Sequence, residues 1–236
     1  MATWAVSDLH GNYELFLAIL DKISPEDTVY FLGDACDRGH DGYDLMKSIW
    51  EQPNWIYLMG NHEDMFIEAT TDYLSNGNWM YETYADAVRN GGYETLYCWE
   101  LDSDVERKIW RNRIAKLPMG AEYVNTSGKR IFLCHAGFTP VMNRRTKAVE
   151  MDEFNAYRMM WDRSHMYNHK WPKNMDNIFV VHGHTPIQYY GQGYTVEDGP
   201  LFYQKRHKID IDCETYNTNA AFVFNLDTFE YITVRV

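Results

Sequence analysis

The sequence has no apolar run approaching 18 residues, so nothing in it reads as a membrane span. It has only four cysteines, Cys36, Cys98, Cys134 and Cys213, widely spaced and without a CxxC pair. That argues against a zinc ribbon or a disulfide scaffold and leaves buried thiols as the expectation. Basic residues are in deficit, 22 against 34 acidic, for a net charge of -12. A surface so acidic repels polyanions, so neither a nonspecific nucleic-acid binder nor a membrane-surface protein is indicated. The first apolar run follows Met1 with no signal-like segment, and the expected location is the cytoplasm. Repeats, low-complexity tracts and clear linkers are also missing.

What is present is an ordered globule of 236 residues, 45% hydrophobic and 16% aromatic, read as one domain over 1–236. Apolar runs at 3–6, 28–32 and 55–59 alternate with helical patterns at 13–23, 41–50 and 63–73, with Asn12 as a cap for the first helix. This βαβαβα order predicts a layered α/β fold. Residues 77–117 lack a good strand and read as a helical insertion capping one end of the sheet. Strand patterns return at 121–124, 130–134, 178–181, 208–211, 220–225 and 231–236, with a third helical region at about 147–160.

Chemistry-bearing residues gather where these runs end. Asp8 and His10 follow the first, Asp34, Asp37 and Arg38 the second, Asn61 and His62 the third, His135 the run 131–134, and His182 and His184 bracket the end of 178–181. Asp, Asn and His are oxygen and nitrogen ligands for divalent metals. In an extended segment Asp8 and His10 face one side and suit one metal. Asp34 is placed to bridge to a second metal completed by Asn61, His135 and His184. Two ions bridged by a carboxylate hold a water, lower its pKa and clamp phosphoryl oxygens. Beside them His62 suits a proton donor oriented by Asp37, and Arg38 suits phosphate oxygens. Taken singly, each of these residues reads more simply as a cap or a satisfied polar group. His182 is read as loop support, and His40, His165, His169 and His207 as surface or core histidines.

The segments Ser7-Asp8-Leu9-His10-Gly11-Asn12, Gly33 to Gly39, Gly60-Asn61-His62-Glu63, His135-Ala136-Gly137 and Gly183-His184-Thr185 resemble, in order, the motifs of the calcineurin-like metallophosphoesterases. Within that superfamily the chain looks most like the bacterial and phage serine/threonine protein phosphatases, of the lambda phage type. The resemblance implies a β-sandwich flanked by helices and two divalent metals, commonly manganese, with iron or zinc as alternatives. It assigns the metal ligands, His62, Asp37 and Arg38 to the roles given above. Trp161-Asp162-Arg163 resembles a Trp-x-Arg segment whose arginine binds phosphate. Ser7 replaces the usual glycine. Met59 stands where an arginine precedes GNHE, which removes a cation and shifts more of the charge to Arg163, so that Met59→Arg would be expected to tighten phosphate binding. The implied reaction is hydrolysis of phosphoserine or phosphothreonine, and of phosphotyrosine as an extension, on a phosphoprotein or small phosphorylated substrate, by direct attack of the metal-bridging water. The alternatives are a dinucleoside polyphosphate hydrolase, using the same centre with an adenine pocket, and a non-catalytic metal-binding adaptor.

Overall fold

A computed structural model describes residues 1–140, 156–164, 171–191 and 193–236. His165, His169 and most of the helix expected at 147–160 lie outside the described residues.

Two five-stranded sheets face each other. The first is ordered β10-β9-β1-β2-β3, from β1 (Thr3–Val6), β2 (Thr28–Phe31), β3 (Trp55–Tyr57), β9 (Ala220–Asn225) and β10 (Tyr231–Arg235). The second is ordered β4-β5-β6-β8-β7, from β4 (Gly120–Val124), β5 (Arg130–Cys134), β6 (Ile178–His182), β7 (Leu201–Tyr203) and β8 (Lys208–Asp210). The first sheet is parallel from β1 through β2 to its edge strand β3, with β9 and β10 antiparallel on the other side, and the second has a parallel centre, β5-β6-β8, between antiparallel β4 and β7.

Both faces of the central strands are buried, which is why they read as continuous apolar runs. Along β2 and the residue after it, Val29 and Phe31 enter the core under the helices, while Tyr30 and Leu32 enter the core between the sheets. β9 divides the same way: Phe222 and Phe224 point between the sheets, Ala221 and Val223 toward the helices. In β5, Ile131 and Leu133 meet the first sheet, while Phe132 and Cys134 join Phe138, Met159 and Val180 on the far side.

Helices α1 (Tyr13–Leu20), α2 (Gly42–Trp50) and α3 (Asn61–Asn76) follow β1, β2 and β3. Asn12 caps α1, its Oδ1 accepting from Leu15 N at 2.9 Å. The insertion is helical, with α4 (Tyr81–Arg89), α5 (Tyr93–Leu101) and α6 (Asp104–Ile114). Rather than capping a sheet end, α4 and α6 pack on α3, and α5 on α2, around the fully buried Trp99. A short α7 (Ala156–Trp161) is pinned to α3 by Trp161 Nε1 donating to Asp64 Oδ2 at 3.0 Å, and α8 (Thr215–Thr218) precedes β9. Among the described residues no helix is long and apolar enough to cross a membrane. Cys36, Cys134 and Cys213 are buried free thiols, and Cys98 is half-buried.

Met59 is buried in the helix-side core, so an arginine there would bury a cation among apolar groups rather than offer it to phosphate. His207 stacks on Trp171 and is a core histidine, whereas His40 is exposed.

Lys208 is fully buried, and its ammonium donates to Thr139 Oγ1 at 2.9 Å. Burial drags its pKa from 10.5 down to about 8. The folded protein therefore gives up this proton at lower pH than the unfolded chain. Between those two values the unfolded state binds more protons, and stability rises with pH. Relative to Lys208→Met, the wild type is expected to gain up to about 3 kcal/mol across that window, read from urea unfolding at each pH.

Candidate active site

The polar residues named from the sequence converge at the ends of the parallel strands, and most sit on strained backbone. Asp8, His10, Asp34, Asp37, Arg38 and His184 all have positive φ, between 45° and 70°. Non-glycine residues take this conformation at a cost and persist in it where the surroundings impose it, a pattern concentrated at functional sites.

Glu63, buried in the first turn of α3, is what imposes it on the loop after β2. Its carboxylate accepts from Asp34 N at 2.8 Å, Ala35 N at 2.8 Å, Gly60 N at 2.9 Å and Tyr57 Oη at 2.7 Å. Gly60 and Gly33 allow the close approach: a Cβ on Gly60 would lie 2.2 Å from Asp34 Oδ1, and one on Gly33 2.5 Å from Gly60 N. Asn61 and His62 open α3 itself instead of lying in a loop before it.

Asp34 is the centre. Its Oδ2 lies 3.3 Å from His135 Nε2 and 3.7 Å from both His10 Nε2 and His62 Nε2. Its Oδ1 accepts from His62 N at 3.1 Å. Burial would raise this carboxyl, but the charges of His135 and His62 outweigh burial and hold it well below the ordinary carboxylate range. Conversely, burial works to lower the His135 pKa, and the carboxylates of Asp34 and Asp8 push it up to about 9. His10 and His184 are driven well below the usual imidazole range by burial and by neighbouring cationic groups, His62 in one case and His135 in the other.

Tautomers follow from the carbonyl partners. His10 Nδ1 lies 3.1 Å from Cys36 O and His135 Nδ1 2.9 Å from Leu32 O; a carbonyl can only accept, so each Nδ1 carries a hydrogen, His10 Nε2 keeps a lone pair inward, and His135 Nε2 offers one once its second proton is displaced. His135 Nε2 is 2.9 Å from Asn61 Oδ1 and 3.1 Å from His184 Nδ1. Two groups of donors thus have mutual spacings that fit a metal ion: His10, Asp34 and His62, and Asp34, His135 and His184. They share Asp34. Imidazoles, neutral at His10 and His184 and able to release a proton at His135, around an ionised carboxylate are donor chemistry that suits a borderline divalent cation. Asp8 is adjacent, 4.0 Å from His10 Nε2, but its carboxylate also accepts from Ser7 Oγ and, at 3.1 Å, from His184 N.

His62 Nδ1 meets Asp37 Oδ2 at 2.8 Å. Burial lowers the His62 pKa, but Asp34 and Asp37 together raise it above the ordinary value. The guanidinium of Arg38 spans His10 Nε2 at 3.0 Å and His62 Nε2 at 3.1 Å. Arg163, set just beyond the anchored α7, reaches His184 Nε2 at 3.2 Å.

A family model of calcineurin-like phosphoesterases matches residues 1–213. The chain belongs to the calcineurin-like phosphoesterases. A serine/threonine-protein phosphatase 2 of Salmonella typhimurium is 27% identical over 171 residues, covering 69% of this chain and 68% of that protein. A symmetrical bis(5'-nucleosyl)-tetraphosphatase of Erwinia tasmaniensis is 28% identical over 145 residues, 59% of this chain and 46% of that one. A solved protein serine/threonine phosphatase from Saccharomyces cerevisiae superimposes with a TM-score of 0.62 at 15% identity, covering all of this chain and 80% of that one. At that identity the likeness is one of fold, and the fold is the helix-flanked sandwich of a metallophosphoesterase.

Parts of this phosphoesterase site went unread in the sequence. Glu63 had a signal: a glutamate three residues after a helix-opening position is half of a capping box, here formed with Gly60 N. The insertion also reaches the site. Gly91 O accepts from Arg38 N at 2.9 Å, and Thr95 Oγ1 from Asp37 N at 3.1 Å, contacts between distant segments that carry no local signature. His182 packs under the loop after β5, where a Cβ on Gly137 would lie 2.9 Å from its ring, and its Nε2 meets Tyr203 Oη at 2.6 Å.

Proposed function

We propose that this chain is a phosphomonoesterase acting on phosphoserine and phosphothreonine, with two divalent ions, manganese foremost, held by Asp8, His10 and Asp34 on one side and by Asp34, Asn61, His135 and His184 on the other. The observation that carries the reading is the sharing of Asp34 between two donor groups, with the His62–Asp37 pair directly beside them. Bound metals would supply charge neutralisation and an activated water.

The chain's own side chains do the rest. His62 holds a proton on Nε2 for the leaving alkoxide, and Asp37 fixes its ring by taking the Nδ1 hydrogen. Arg38 and Arg163 present guanidinium groups from two sides of the cleft to the phosphate oxygens. A non-catalytic adaptor would have no use for an imidazole whose pKa is raised by Asp34 and by a hydrogen-bonded Asp37. A test is turnover of phosphoserine and phosphothreonine peptides, a phosphotyrosine peptide and diadenosine tetraphosphate, each with manganese, iron or zinc added. Turnover confined to the dinucleotide would replace this reading.

Arg163→Ala is expected to lower kcat/KM on a phosphopeptide by about ten- to several-hundred-fold, the worth of one charge-assisted contact. A change within about twofold would remove Arg163 from the phosphate site.

A further inference from the structure

Among the described residues, one arginine that lines the cleft at this centre is not engaged with its histidines. The cleft above the proposed centre, about 500 Å³, is walled by Arg38, Arg163 and His184 and, farther out, by Arg89 and Asn90 from the insertion and Glu214 from the segment before α8. Among the described residues, the lining of this cleft carries three guanidinium groups against one carboxylate, a local excess of positive side chains on a protein of net charge -12. Arg38 and Arg163 are engaged with the histidines of the centre, whereas Arg89 is not. It ends α4 and, among the described residues, pairs with Asp86 one turn earlier, with both side chains largely exposed. Such a surface pair is worth little and yields readily to another carboxylate.

The segment that brings Arg89 here is built to stay. Asn90 Nδ2 donates to Asp86 O at 2.8 Å, and Gly92 N to Ala87 O at 2.9 Å. Gly91 takes φ +94°, and a Cβ there would lie 2.9 Å from Arg38 N, so the junction of α4 and α5 is seated directly against the phosphate-facing arginine. Glu214, the acidic group of the wall among the described residues, is held by Asn217 Nδ2 at 2.9 Å.

We propose that Arg89, with the Asn90 amide beside it, is a specificity subsite for a second anionic group, and that the protein selects phosphopeptides bearing a carboxylate side chain near the phosphorylated residue. This rests on the phosphomonoesterase reading above and adds a substrate class to it. The insertion then contributes the part of the cleft that reads what flanks the phosphate.

The test uses the metal-loaded, full-length protein and a phosphoserine peptide with neutral flanks, beside a series carrying one glutamate at each position around the phosphoserine in turn. The wild type is expected to favour at least one glutamate peptide by about three- to tenfold in kcat/KM, mainly through KM, with the preference shrinking as salt is raised. Arg89→Lys should keep part of that preference, Arg89→Ala should bring the ratio to about one, and Arg89→Glu should invert it. Equal turnover of all peptides by the wild type, or an unchanged ratio in Arg89→Ala, overturns the subsite while leaving the phosphatase reading intact. Hydrolysis of diadenosine tetraphosphate with no turnover of any phosphopeptide would instead overturn the phosphomonoesterase reading and the subsite with it.

Discussion

Asp34→Asn is expected to leave a folded protein whose turnover has dropped on the order of 10³-fold or more and whose metal content has fallen at both proposed positions. Asparagine suits the test because it tolerates the left-handed backbone that Asp34 adopts at φ 59°, so the loop clamped by Glu63 need not move. What changes is charge and denticity. Three imidazoles now point at one anionic oxygen pair, with Nε2 atoms 3.3 to 3.7 Å from Oδ2. The amide would leave a single neutral oxygen and an uncharged NH₂ group where a shared anion is needed to hold a cation. Neutralising Asp34 also removes the largest influence lifting His135, so that imidazole loses its proton more readily but has no bridge to share. Elemental analysis after manganese loading and gel filtration, together with turnover, checks both parts. Two bound ions with normal turnover would take the bridge, and most of the proposed mechanism, away.

His62→Asn separates two roles that the geometry leaves side by side. The His62 ring is hydrogen-bonded to Asp37 yet also falls within a metal-sized group with His10 and Asp34. If His62 delivers a proton to the leaving alkoxide, kcat on a phosphoserine peptide should fall on the order of 10² to 10⁴-fold. The loss should be smaller on an aryl phosphate, whose phenolate departs without help, and metal content should not change. A metal stoichiometry reduced by one ion would make His62 a ligand. Equal losses on alkyl and aryl substrates with full metal content would assign it to binding.

The motif segments were legible because parallel strands buried on both faces exclude polar side chains until they end. Asp8, Asp34 and His135 therefore stand out against Val6, Leu32 and Cys134 just before them. The edges were less legible. β7 spans only Leu201–Tyr203, directly after Pro200 and before a Lys-Arg-His turn, too short for a period-two pattern to register. The helix expected to begin at Glu63 begins at Asn61, because the Glu63 carboxylate caps back onto Gly60 N and so sits inside the first turn. Met59 looked like a vacancy in the phosphate site, since its neighbours Gly60 and Asn61 belong to that site. Its own side chain instead joins the helix-side core, a direction that residue order alone does not fix. The insertion was legible as helix from its aromatic spacing, but not its delivery of Gly91, Thr95 and Arg89 to the cleft.

The proposed centre is divided between the two sheets. Asp8, His10, Asp34, Asn61 and His62 are carried by the strands of one, His135 and His184 by those of the other, and the joint is stitched by Leu32 O to His135 Nδ1 and by Asp8 to His184 N. A slide of one sheet over the other by a fraction of a strand spacing would leave both ladders, and far-ultraviolet circular dichroism, intact while drawing two imidazoles off the shared carboxylate. Turnover is thus a gauge of how the halves of the sandwich are docked, and on heating it should fade before secondary structure does. Tightening the apolar contact between the halves around Ile209 and Phe222 would then preserve activity better than strengthening either sheet alone.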